Sequence, residues 1–245
     1  MNNNENEHHD TRMTRALNGE YPFDVFALLK RANSVVKQHF GALFQACVVL
    51  FVAVIVLSVL LVFGFDITSP DAITPGQRTM MEVLSILVIS PLQAGLYMMG
   101  VNAARGQPVT TFDIFHYLGS VLVISVTQLI ISITTQLGLA LFIFPGVYVW
   151  TATLFALMLV ADKRLTPFQA ILLSARMVNV YLGKMLLLAV LFFVLFGTGL
   201  LSFGVTLIWV VPLYFCTLGM LYNDLFSTQD VPSETAVTDE SKFDA

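Results

Sequence analysis

A stripe of polar side chains inside an otherwise apolar stretch is the feature of this sequence closest to chemistry. Ser125, Gln128, Ser132, Thr135 and Gln136 recur at helical spacing, so on a helix they share one face. Hydrocarbon offers no hydrogen bonds, and such a face must find its partners inside a bundle. Two uses fit. One is interhelical hydrogen bonding, worth about 0.6 kcal/mol per contact in a membrane. The other is the lining of a small polar cavity or pathway, completed by Gln93, Tyr97 and Ser90 on a neighbouring apolar run. Small residues favour close packing there, since Ser90 and Ala94 stand four apart, as do Thr198 and Ser202.

Other reactive residue types lack a catalytic pattern. An ionisable group deep in a span marks a functional site by default, because burying its charge is costly. Glu82, Asp162 and Asp224 instead fall close to expected helix ends, within reach of water or headgroups, which counts against a proton-coupled pump or a voltage sensor. His8 and His9 lie in a polar tail, and His39 and His116 are single residues without the spacing of a metal-binding motif. Neither a paired-carboxylate site within the apolar core, nor a Gly-rich phosphate loop, nor a GxSxG elbow is present. Gly197-Thr198-Gly199 reads as a packing or flexing point on a helix. Cys47 and Cys216 sit in apolar runs and read as small hydrophobic residues. The expectation is a protein that is not an enzyme and uses no metal or cofactor. A grouping of Glu82, Tyr97 and His116 in the fold would revive catalysis.

The elements that must position these residues are membrane spans. Only 11% of residues are charged and 57% are hydrophobic, with a mean hydropathy of +0.81, whereas soluble domains keep roughly a quarter of their residues charged. A hydrocarbon core of ~30 Å takes about 20 helical residues. Runs at about 43–63, 81–103, 185–203 and 205–224 satisfy this directly. The stretch 118–161 is close to two spans, broken where Pro145 removes a helix hydrogen bond and Gly146 permits a turn, giving 118–143 and 145–161. The expected fold is all-α, a polytopic membrane domain over 21–226 with six transmembrane helices. Polar residues 1–20 and acidic residues 227–245 are expected to be disordered tails. The start does not read as a cleaved signal peptide, because some 40 polar and amphipathic residues precede the first span.

Orientation follows from the basic residues. With the N-terminus cytoplasmic, Arg78 alone of the 12 Lys and Arg residues is left outside. That places both termini in the cytoplasm of an inner-membrane protein, with Trp150 and Trp209 near the outer interface. Three connecting segments read as amphipathic helices on the membrane surface: YPFDVFALLKRANSVVKQHF, with Phe26, Leu29, Val36 and Phe40 on one face; TPFQAILLSARMVNVYLG, with Thr166 as N-cap and Pro167 at the first helical position; and the shorter TTFDIFHYLG. The alternative reading of each is the cytoplasmic extension of a span. Together they suggest three repeated units of interfacial helix and helical hairpin. The lipid bilayer is the expected partner, with anionic headgroups meeting Lys30, Arg31, Lys37, Lys163 and Arg164. A net charge of -4 and a pI near 5.5 argue against nucleic acid.

Three passages carry a family likeness. PLQAGLYMMGVNAARGQPVTTFDIF (91–115), FPGVYVWTATLFALMLVADKRLTPFQAILLSARM (144–177) and PLYFCTLGMLYNDLF (212–226) resemble uncharacterised bacterial multi-pass proteins of the YciC type and the membrane domain attached to some glycerophosphodiester phosphodiesterases. The likeness covers a little over half of the chain. It implies a six-helix fold and transfers no catalytic residues, since no phosphodiesterase domain is present. Helix packing with lipid or partner contacts is the leading functional expectation. A small-solute channel or transporter using the polar face of the third span is the alternative.

Overall fold

A computed structural model describes residues 13, 16–67, 69 and 73–226, and over these the chain is all-α. Residues 1–12, 14–15 and 227–245 of the expected tails lie outside them, with His8, His9, Arg12, Arg15 and Lys242. Within the expected tail, Ala16 is buried, and its carbonyl accepts a 2.8 Å hydrogen bond from the Tyr181 hydroxyl. Among the described residues, six helices are long and apolar enough to cross a membrane.

α1 (Val25–Gly64) starts where the Asp24 carboxylate accepts the N–H groups of Phe26 and Ala27. It kinks at His39, the one interior residue with non-helical angles, so its basic first part is an arm set off from the span. α2 (Pro75–Ala104) opens on a capping box of Thr74 and Gln77, with Pro75 at the first position. A 3-10 segment (Thr111–Ser120) leads directly into α3 (Val121–Leu141). It runs into its span without a gap, whereas the arm of α1 is set off by the kink at His39. By contrast α6 (Pro167–Val180) is a separate helix, capped at Thr166 and ended before Tyr181.

The break between the third and fourth spans lies at Phe142, whose extended angles (φ -162, ψ 160) separate α3 from α4 (Ile143–Ala152). Pro145 falls in the first turn of α4, where a missing N–H breaks no helical bond. It therefore follows the break and does not make it. Gly146 is needed for the hairpin itself, since a Cβ there would collide with Leu139. The fourth span is further divided, because Thr153–Phe155 interrupts α4 before α5 (Ala156–Lys163). Ser174 of α6 heals that gap: its hydroxyl donates to the Ala152 carbonyl (2.7 Å) and accepts the Phe155 N–H (3.2 Å). Buried backbone groups freed by a helix break require such partners in lipid.

α7 (Leu182–Leu201) and α8 (Leu207–Phe226) complete the bundle. Its centre is the crossing of α2 and α8, where Gly100 and Gly219 touch backbone to backbone and a Cβ on either would collide with the other helix. Of α2, the residues from Ser90 onward are largely buried, whereas none from Pro75 to Ile89 is. α1 likewise buries no residue between Cys47 and Leu60, and Phe51, Leu60 and Phe63 are open to the surroundings. Side chains of this kind are stable on a surface only in hydrocarbon. The chain is a multi-pass membrane protein.

The arm of α1 buries Val25, Leu28, Ala32 and Val36 and leaves Phe26 of the expected interfacial face 71% exposed. The reason is the neighbour: the arm packs on α8, where Arg31 reaches Asp224 and Asn33 accepts from the Trp209 indole N–H at 3.0 Å. Trp209 also stacks on Phe40 and so is held by the first helix.

Candidate functional site

The polar face of α3 divides into three stations. Ser125 and Ser90, both buried, share a hydrogen bond of 2.9 Å between α3 and α2. Gln128 lines a pocket of about 70 Å³ with Gln93 and Tyr97, where Trp150 and Thr153 of the fourth span also contribute. At the far station the Ser132 hydroxyl donates to Glu82 Oε1 at 2.7 Å, and Gln136 Nε2 donates to the same oxygen and to Ser132 Oγ. Thr135 Oγ1 is buried without a hydrogen-bond partner.

Glu82 gains partners that sequence reasoning did not suggest. α2 begins at Pro75, ahead of the span expected from about 81, so Glu82 sits about two turns inside the helix. A signal was available: Glu82, Ser90, Gln93 and Tyr97 fall within one arc of a helix, a second polar face matching that of α3.

The basic end of the bundle carries two charged knots. Arg105 forms a bidentate pair with Asp162, NH1 to Oδ1 at 3.1 Å and NH2 to Oδ2 at 3.0 Å, and its Nε donates to Asn223 at 3.2 Å. The Tyr222 hydroxyl donates to Asp162 Oδ2 at 2.8 Å. Arg31 pairs with Asp224 at 3.0 Å, and the Tyr21 hydroxyl donates to the same carboxylate at 2.6 Å. Burial, and then the hydrogen bond to Asp224, push the Tyr21 hydroxyl well above the usual tyrosine range. Burial pulls Arg105 down, but its bonds and attraction to Asp162 outweigh this and leave it raised. Asp162 and Asp224 therefore are not simply end groups solvated by water or headgroups.

Between the 3-10 segment and the end of α5 lies a polar cleft of about 600 Å³, lined by His116, Tyr117, Ser120, Asp162 and Arg164 among others. A second chamber of about 210 Å³ shares His116 and Tyr117 and adds Asn102 and Asp113. His116 is thus at the cleft, while Glu82 joins α3 and Tyr97 the small pocket. The three do not meet in one site. Of the basic residues expected to face headgroups, Lys30, Lys37 and Arg164 are exposed, Lys163 is half-buried, and Arg31 is engaged by Asp224. No cluster of three His, Cys, Asp or Glu side chains suited to a metal ion occurs among the described residues. Neither a protein-family model, nor a curated protein, nor a solved structure matches the chain.

Proposed function

We propose that this chain is an inner-membrane protein of the YciC type, with both termini cytoplasmic, that acts without catalysis by engaging lipid at its cytoplasmic face. One observation carries the reading. Each of the three interfacial segments exposes a phenylalanine, Phe26 at 71%, Phe112 at 81% and Phe168 at 76%, and exposed Lys30 and Lys37 lie on the first of them. Apolar side chains beside cations are the composition of a segment that seats in anionic headgroups. The similar openings of the segments, PFDVF, TFDIF and PFQAI, support three repeated units, with Val25, Ile114 and Ala170 buried at matching positions.

The test is the thermal stability of the purified full chain in nanodiscs of rising phosphatidylglycerol content at constant acyl composition. Stability should rise with the anionic fraction, fall with added salt, and lose this dependence in the Lys30→Gln/Lys37→Gln variant. Equal stability in pure phosphatidylcholine would remove the reading.

A second reading, a small-solute pathway, is favoured by the pocket at Gln93, Tyr97 and Gln128. It predicts solute flux in proteoliposomes that disappears when Gln128, Thr135 and Gln136 become Leu.

A further inference from the structure

We infer that the cleft between the 3-10 segment and α5 binds a phosphate ester, whose polar substituent occupies the adjoining chamber; this deepens the lipid-binding reading and rests on it for the membrane setting. The size is right for a small ligand, since about 600 Å³ lies within the usual range of such sites. The electrostatics point to an anion. Asp162 lines the cleft, but both its oxygens are occupied by Arg105 and one also by Tyr222. The other polar residues that line the cleft are Arg164, His116, Tyr117 and Ser120, whose side chains carry a guanidinium, an imidazole and two hydroxyls. Guanidinium forks match phosphate oxygens, and hydroxyls add neutral donors.

Arg164 also holds a left-handed backbone conformation (φ 52, ψ 33), an unfavourable one for a residue with a Cβ. It is the left-handed residue that ends α5 and so fixes where the side chain leaves the helix. The adjoining chamber has the opposite character: Asn102 offers an amide acceptor, and the Asp113 carboxylate, which already accepts from the Thr110 N–H and hydroxyl, keeps lone pairs for a head alcohol or amine. Val123, in the first turn of α3 and 45% exposed, forms with Val160 and Leu165 an apolar wall on which a glycerol backbone would rest.

The same chemistry is offered by a phospholipid head and by a soluble phosphate ester, and one experiment separates them. The full chain in detergent is titrated, with native mass spectrometry as readout, against phosphatidylglycerol, phosphatidylethanolamine, phosphate-free diacylglycerol, glycerol 3-phosphate and inorganic phosphate. Binding of the phospholipids roughly tenfold tighter than diacylglycerol is expected, with a similar loss in Arg164→Asn, which tolerates the left-handed backbone, and retention in Arg164→Lys. Should Arg164→Asn unfold, the His116→Gln/Ser120→Ala variant, altered only at exposed positions, makes the same test. Binding of glycerol 3-phosphate alone, lost in the same variants, supports the phosphate site and assigns it to soluble esters. Diacylglycerol binding equal to the phospholipids, or phospholipid binding untouched by both cleft variants, overturns the proposal. If only Lys30→Gln/Lys37→Gln abolishes lipid preference, the cleft fails and the surface reading stands; the reverse result removes the surface reading alone.

Discussion

Arg105 and Asp162 face one another as a two-pronged ion pair, joining the end of α2 to the end of α5 with both side chains only 18% exposed. Removing one member strands the other in a poorly hydrated site, while removing both leaves no orphan charge. Arg105→Ala and Asp162→Ala should each destabilise by about 2–4 kcal/mol, and the double variant by clearly less than their sum. Thermal melts of the four proteins in one detergent complete the cycle. Strict additivity would mean that the pair contributes no coupling.

A contrast among glycines tests the crossing of α2 and α8. Gly219→Ala pushes a methyl group into the backbone at Gly100, where nothing flexible can yield, so a loss of about 2 kcal/mol or more is expected. Gly197→Ala on α7 meets nothing within 4 Å and lies inside a helix. There the methyl group should be neutral or stabilise by about 0.5–1 kcal/mol. Equal effects at the two positions would contradict the described crossing.

Alkali should loosen the N-terminal arm. The Tyr21 hydroxyl holds its proton more tightly in the fold than in the unfolded chain, so the folded state binds more protons once pH exceeds the ordinary tyrosine value of 10.0. Its contribution is complete below that value and declines as pH rises above it. Melting temperature against pH should drop more steeply above 10.0 in the wild type than in Tyr21→Phe. Parallel curves would show that Tyr21 takes no part.

How far this fold can be read from sequence depends on which forces shape each element. Hydrocarbon selects the six spans by length and apolarity alone, and the basic residues mark one end, so span number was legible. Caps were legible too, because Thr166-Pro167 is a local signal. The break between the third and fourth spans was legible to within a few residues, since it falls at Phe142, just ahead of Pro145. The gap at Thr153–Phe155 was not, because it exists only where Ser174, about twenty residues away, satisfies its backbone. The α3 stripe was visible as a pattern, yet its acceptor Glu82 stayed hidden because it comes from another helix. Arg105–Asp162 and Arg31–Asp224 are pairings between distant chain segments, which only the fold brings together.

Glu82 also yields a prediction on how the α3 face is held. Its carboxylate accepts from both Ser132 and Gln136, so Glu82→Gln keeps one acceptor oxygen in place, whereas Glu82→Leu leaves the Ser132 hydroxyl without its acceptor and Gln136 Nε2 with Ser132 Oγ alone. The leucine variant should lose about 1–2 kcal/mol and the glutamine variant less, since hydrogen bonds between membrane helices average about 0.6 kcal/mol and reach about 1.7 kcal/mol. Melting of both variants beside Ser132→Ala/Gln136→Leu separates the causes. If the donors are the whole reason for the loss, adding Glu82→Leu to that double variant should cost nothing more. A further drop would mean that the carboxylate acts on something besides α3, and that the polar face serves more than packing.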